Sequence, residues 1–395
     1  MIRWTLLLLF AILLLPIPNR FSSEYQIILQ ASGIVLTILL CMKIALYPSS
    51  IRVRLSESLD SGVMKVFVVL PLFFFTLGVF RNRMDDALVD LFKFGVIAVV
   101  YMLFREFFIK SENRESLAIW LSRFVIPIAL LVVAWLLISL PQTVGTGYYR
   151  RTSVPATIAS LLLVLILILG ANRVRLIVKR FVLLLMVAVC ALTLGRLMNL
   201  MILSFVMIWF MRKKLLASLW LRRILAVSIL LIVFIYPYWL MRERNLEMQD
   251  LSIWWRQNEW SYVVRLAEQD SFSEHLIGHG FGFAISADTP LESADGKTYN
   301  RLPNFHSLWL FLFAKTGVLG NGAFFWFLVV IWRQYERTKD RDVLSLLLLF
   351  SLFLDFSLAG SVTGLFTQSY LYPFLLGLKL AVFEGTTGRR EICVS

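Results

Sequence analysis

The sequence predicts an all-α, polytopic membrane protein of about 12 transmembrane helices, on three observations. Of 395 residues, 59% are apolar or aromatic and only 16% are charged, with a mean hydropathy of +0.78. A soluble chain has too little polar surface at that composition. The 32 Phe and 12 Trp exceed what a soluble core of this size encloses. Apolar runs of roughly 15 to 25 residues, the length that crosses a ~30 Å hydrocarbon core, recur along the chain.

The spans are expected near 4–18, 26–47, 64–80, 87–104, 119–140, 154–171, 176–194, 197–211, 222–240, 306–331, 343–360 and 362–383. The first follows Arg3 and ends at Pro16 and Pro18; without the small-x-small cleavage site of a signal peptide, it reads as a retained span. The third starts beyond Arg52 and Arg54 and stops at Arg81 and Arg83, and the fourth runs to Arg105. Lys110 and Arg114 precede the fifth. The turn Gly145-Thr-Gly147-Tyr-Tyr149, followed by Arg150 and Arg151, leads to the sixth, which Arg173 and Arg175 close. Between the seventh and eighth there is almost no turn, from Leu194 to Leu197, and Arg196 lies in it. Arg212, Lys213, Lys214, Arg222 and Arg223 lie between the eighth and ninth; Arg333, Arg337, Lys339 and Arg341 lie between the tenth and eleventh. The chain thus divides into helices 1–9 (1–240), one large loop (241–304), helices 10–12 (305–383) and a tail (384–395).

With both termini inside, inner segments hold 22 Lys and Arg, whereas outer turns hold six: Arg20, Arg81, Arg83, Arg150, Arg151 and Arg196. Basic flanks stay cytoplasmic, so both termini are expected in the cytoplasm and the large loop outside. The net charge of +14 is then a signal of topology, and no nucleic-acid partner is implied. Cys41 and Cys190 sit in apolar runs and Cys393 in the tail, which implies no external disulfide.

The loop from Met241 to Asn304 carries ten acidic and six basic residues together with His275 and His279, and His306 lies just past it. In a chain so poor in titratable groups, this clustering marks the loop and the helix ends beneath it as the site. Leu251, Trp254, Trp255, Tyr262, Val263 and Leu266 recur at helical spacing and predict an amphipathic helix over 250–268 on the outer surface. Arg256 and Arg265 project from it, and a guanidinium holds a diphosphate through paired hydrogen bonds. The alternative is contact with phospholipid phosphates or with Glu259 and Glu268. His275 and His279 are four apart after Glu274, but the glycines at 278, 280 and 282 argue against the rigid helix a metal pair needs, so no metal site is expected.

Charges within spans are few. Asp90 and Lys93, three apart, are expected to pair with each other. Lys315 and Asp355, about 14 and 8 Å deep, are expected to pair across the tenth and eleventh helices. Gly317 and Gly320 form a small-x-x-small patch expected to admit another helix. Neither a P-loop nor a Rossmann fingerprint is present.

The sharpest pattern is Gly278-His279-Gly280-Phe281-Gly282, then His306-Ser307, then, after nine residues, Gly317-Val318-Leu319-Gly320. The stretch "FHSLWLFLFAKTGVLG" resembles the His-[Asn/Ser/Gln]-x9-Gly-x-x-Gly element of the bacterial O-antigen ligase and O-antigen (exopolysaccharide) polymerase family of integral membrane glycosyltransferases. "LIGHGFG" is similar to that family's Gly-rich segment before the loop. Arg256-Gln-Asn-Glu-Trp260 resembles its Arg-x3-Leu element with Trp in place of Leu, and Thr193-Leu-Gly-Arg196 its Thr/Ser-Arg turn. The resemblance covers residues 141–383, in matching order.

This resemblance implies a GT-C-like fold in the bacterial inner membrane, with the active site facing the periplasm. It implies an undecaprenyl-pyrophosphate-linked glycan donor and, as acceptor, lipid A core or a lipid-linked glycan. His306 becomes the catalytic base, while Arg196 and Arg256, with Arg265, become diphosphate ligands. Arg150 sits in a turn that is basic in such proteins, where it contacts glycan or phosphate. No cofactor is required, because pyrophosphate is already a good leaving group.

Overall fold

The computed structural model describes residues 59–143, 155–193, 196–242, 251–292, 298–302, 305, 307–338, 341–359 and 371–387. The spans expected near 4–18 and 26–47 lie outside the described residues. From the amino end, α1 covers Leu59–Arg81, with a π-turn at Lys65–Val69. Then follow α2 (Met84–Ile109), α3 (Ser111–Thr143), α4 (Pro155–Gly170), α5 (Leu176–Thr193), α6 (Arg196–Ala217) and α7 (Leu219–Arg242). The loop contributes α8 (Leu251–Gln269), α9 (Phe272–Ile277) and strands β1 (Ile285–Glu292) and β2 (Thr298–Leu302). The bundle closes with α10 (Leu308–Arg337), α11 (Val343–Leu354, running on into a π-turn at Asp355–Ala359) and α12 (Leu371–Thr387).

Among the described residues, α1, α2, the Ser111–Ala134 part of α3, and α10 are long and apolar enough to cross a membrane; Ser160–Gly170 and Val343–Ser357 are shorter apolar helices. Very short turns, such as 82–83, 110 and 218, force neighbouring helices to run antiparallel. Alternate turns therefore gather at opposite ends of the bundle. At one end Arg114 donates to Gly385 O at 2.7 Å, Glu115 accepts from the amides of Asn172 and Arg173, and Glu336 pairs with Arg222 and Arg341. These belong to the segments that the charge count assigns to the inner side. The other end carries the Arg81–Arg83 turn, α8, α9 and the ribbon.

Three helices form the centre. Every residue from Leu344 to Leu354 of α11 is buried, as are Ser160 to Leu169 of α4 and Tyr372 to Phe383 of α12. A helix apolar on all sides has no polar face to show, and burial within the bundle is its stable place. Around this centre, α1, α3, α5, α6 and α7 turn large apolar side chains outward, among them Phe80 (84% exposed), Ile177 (74%) and Phe210 (68%). Such an outer surface suits lipid tails and would aggregate in water.

The all-helical expectation gains one exception. β1 and β2 form an antiparallel ribbon, pairing Ile285 with Leu302 and Glu292 with Thr298, its register interrupted between Ser286 and Leu291. It lies wholly within the hydrophilic loop, where Pro290 and the Asp295-Gly296 pair punctuate the sequence too closely for a helix. Arg301 of β2 fastens it to the bundle, its Nη1 3.0 Å from Asp86 Oδ2 on α2.

Candidate functional site

The end of the bundle that carries the Arg81–Arg83 turn is organised around a break in α10. Gly317 adopts φ 64° and ψ −161°, so the helix is two pieces, 308–316 and 318–337. The break frees the carbonyls of Ala314 and Lys315 in an apolar setting, where an unbonded peptide group costs several kcal/mol. The Gly-rich segment supplies the missing donors. His279 N donates to Ala314 O at 3.0 Å, Gly280 N to Lys315 O at 2.9 Å, and Phe281 N to Phe74 O on α1 at 3.1 Å. Asn82 Nδ2 donates to the carbonyls of His279 and Phe281 at 2.9 and 3.0 Å. The segment thus dips between α1, α2 and α10, and Phe281 packs on Phe74 and Phe94 with centroids 6.2 and 5.3 Å away.

Gly280 shows why the segment is glycine-rich. Its φ is +83°, and a Cβ there would stand 2.7 Å from the Cα and N of Gly78. Gly280→Ala is therefore expected to destabilise the protein by about 1–3 kcal/mol through backbone strain. Thermal unfolding in lipid nanodiscs measures this against Gly322→Ala, whose added Cβ meets nothing within 4 Å. Equal stability of the two variants would remove the close approach from the argument.

One carboxylate locks this arrangement to the bundle. Asp90 Oδ2 on α2 accepts from Lys315 Nζ at 2.5 Å and from Gly282 N at 2.8 Å, and both charged side chains are buried. One expectation is corrected here and one is extended. Asp90, which stands one turn from Lys93 on its own helix, also pairs across the bundle with Lys315, in a geometry that satisfies the Gly282 amide as well. Asp355 pairs with Lys379 on α12 at 2.6 Å instead of with Lys315. It also accepts from the Tyr372 hydroxyl at 2.9 Å, while Lys379 donates to Ser351 Oγ at 3.0 Å. α11 packs directly against α12, which makes Lys379 the nearer cation. Gly317 makes the break and also lets the end of α9 approach, since a Cβ there would stand 2.5 Å from the Leu276 carbonyl, whereas Gly320 faces only the side chain of Thr316.

Above the break lie α8 and α9. The helix read from the apolar spacing at 250–268 is present as Leu251–Gln269, with Tyr262 and Val263 buried. Ser271 and Glu274 form a capping box that starts α9. Hydrogen bonds from the Ser271 side chain and backbone hold the Glu274 carboxyl below its ordinary pKa, so it stays ionised. The His279 ring lies between acids: Nε2 is 3.1 and 3.2 Å from the two Asp270 oxygens, and Nδ1 is 3.9 Å from Glu274 Oε1. It stacks on Phe283 with centroids 4.2 Å apart. His275 Nδ1 instead lies 2.9 Å from Ser271 O, so the two histidines serve different partners.

The residues singled out by sequence fall as follows. Arg256 and Arg265 both lie on α8, nine residues apart; two and a half helical turns place them on opposite faces, about 13 Å apart along the axis. One diphosphate does not span both. Arg256 is half-buried, whereas Arg265 is exposed, with its guanidinium 4.7 Å from the Tyr262 ring centroid. Arg196 is the first residue of α6, after the tight turn expected there; its side chain is outside the described residues. Arg150 and His306 also lie outside the described residues. The neighbours of position 306, Phe305 and Ser307, are buried, and Ser307 Oγ caps α10 by accepting from Leu310 N at 3.5 Å.

Sequence reasoning missed the roles of Asp90, Asp270, His279 and Lys379. For Asp270 a signal existed: it stands between the amphipathic helix and the Ser271-x-x-Glu274 capping box, where a chain reversal is due. For Asp90 none did, because its partner is 225 residues away. Compared with protein-family models, curated proteins and solved structures, the chain finds no match.

Proposed function

We propose that the protein is a glycosyltransferase of the bacterial inner membrane, of the O-antigen ligase type in lipopolysaccharide biosynthesis. It takes a glycan from undecaprenyl pyrophosphate at the periplasmic face and transfers it to lipid A core. One contact supports this reading most. The glycine segment 278–282 marked by the resemblance donates its His279 and Gly280 amides to the carbonyls of Ala314 and Lys315, at the break in α10 that opens the second marked segment, 317–320, and arginine-bearing α8 precedes it in the chain.

The reaction needs few parts. The acceptor oxygen attacks the anomeric carbon, and the bond from that carbon to the diphosphate breaks, the leaving oxygen keeping the electron pair. Arg196 and Arg256 neutralise the charge that grows on the diphosphate. Arg265, outermost on α8, holds a phosphate of the carrier or of neighbouring lipid, and Arg150 contacts glycan or phosphate. His306 takes the acceptor proton. A broken helix is also a device of transporters, whose freed backbone groups hold ions. Here the carbonyls at the break already accept from the amides of His279 and Gly280, which favours the transferase.

Two experiments test this. In a background lacking the three native cysteines, Ser273→Cys is expected to react with an impermeant thiol reagent from the periplasm and Thr338→Cys is not. The reverse pattern overturns the orientation and the site with it. Arg196→Lys and Arg256→Lys keep the charge but lose the planar fork, so each is expected to lower transfer at least tenfold at unchanged protein level. The glycan profile then names the enzyme: a ligase defect leaves long chains on the carrier and bare core. Single repeat units on core would indicate a polymerase, and normal profiles from both variants remove the arginines from the site.

A further inference from the structure

We propose that His279 is a positioning residue that couples the arginine-bearing helix to the half-helix following His306, through its ring bond to Asp270. The inference rests on the transferase reading above. Its ground is the double attachment of one residue. On its backbone side His279 belongs to the core of the site, its N–H bonded to Ala314 O at the end of half-helix 308–316 and its carbonyl to Asn82. On its side-chain side it reaches back nine residues to Asp270, the residue that closes α8.

The ring bond closes residues 270–279 into a loop of fixed size. Asp270 N donates to Leu266 O, so the carboxylate is tied to the last turn of α8 and moves with it. Both partners are sheltered, with side chains 7% and 16% exposed, and the Phe283 ring fixes the plane of the imidazole. Arg256 lies on α8, and His306 precedes the Ser307 cap of the half-helix. A ligand for the leaving diphosphate and the proton acceptor thus sit on two elements that His279 joins. A shift of about 1 Å between such groups costs up to ~10²-fold in rate, because the reacting atoms fall out of line.

The test compares substitutions that keep and lose the bond. In Gln the side-chain amide nitrogen falls near the place of imidazole Nε2, so His279→Gln keeps a donor to Asp270 but has no titrating nitrogen. Purified full-length protein in nanodiscs, with undecaprenyl-diphosphate-linked glycan and lipid A core, is the assay. His279→Ala and Asp270→Ala are each expected to lower kcat roughly 10–10²-fold with little change in donor KM, and the double variant no further. His279→Gln is expected to stay within about threefold of the native rate. A merely structural role moves thermal stability instead of kcat, and full activity of His279→Ala overturns the inference. So does a His279→Gln protein as slow as His279→Ala, which would make the ring itself a proton carrier. His306→Ala keeps this failure separate from that of the underlying reading. If His306→Ala abolishes transfer while His279→Ala does not, only the coupling falls; if His306→Ala transfers normally, the transferase mechanism falls.

Discussion

Asp90→Ala is expected to destabilise the protein by about 3–5 kcal/mol, because removing one partner of a buried ion pair leaves the other charge uncompensated. Lys315 has essentially no exposure, and the same carboxylate oxygen serves the Gly282 amide, so two buried donors lose their acceptor at once. Asp90→Asn separates the two effects: its amide oxygen still accepts from Gly282, while the charge is gone. It should fall between the native protein and Asp90→Ala. Asp90→Asn combined with Lys315→Met removes both charges and should recover part of the loss, as coupled neighbours do. Unfolding in nanodiscs, followed by accessibility of a cysteine placed at Ser273, reports directly on the end that carries α9. An Asp90→Ala protein within roughly 0.5 kcal/mol of native would show that the pair is incidental.

His306→Ala is expected to lower transfer by roughly 10²–10⁴-fold, the usual contribution of a general base, while the carrier-linked donor still binds. Folding should survive. Position 306 precedes the capping Ser307, whose hydroxyl remains to start α10, and the helix keeps its buried face from Leu308 onward. Donor binding is read by photocrosslinking to a polyprenyl-diphosphate probe and transfer by the length profile of core-linked glycan. Unchanged profiles would reject His306 as the base.

What could be read from the sequence was local. The helix over Leu251–Gln269 follows from residues that neighbour one another on its own surface, and the start of a new helix at Arg196 from the absence of room between two apolar runs. The membrane class followed from composition. What could not be read was non-local: Asp90 with Lys315, Asp355 with Lys379, and the donation of His279 and Gly280 to a helix 35 residues later. The pattern Gly-x-Gly-x-Gly announced unusual backbone without saying what it would touch. The Asp270–His279 bond was within reach, nine residues apart at a chain reversal, but the spacing of His275 and His279 raised only the question of a metal pair, which the glycines argued against. The ribbon at 285–302 was hidden by a weak and interrupted alternation.

The distance along the chain between Asp90 and Lys315 also sets a timetable for biogenesis. At about 5–20 residues per second, roughly 10–45 s pass between synthesis of the aspartate and synthesis of its final partner 225 residues later. During that wait α2 must already be entering the membrane with a carboxylate in its first two turns. Lys93, one turn along the same helix, is the only span-embedded cation of α2 close enough to neutralise it. The local neighbour is thus the cation available to the nascent chain, and Lys315 joins it at the carboxylate when α10 arrives. Lys93→Leu should then lower the yield of inserted protein more than the stability of what is inserted, a difference that pulse-chase insertion and equilibrium unfolding together resolve.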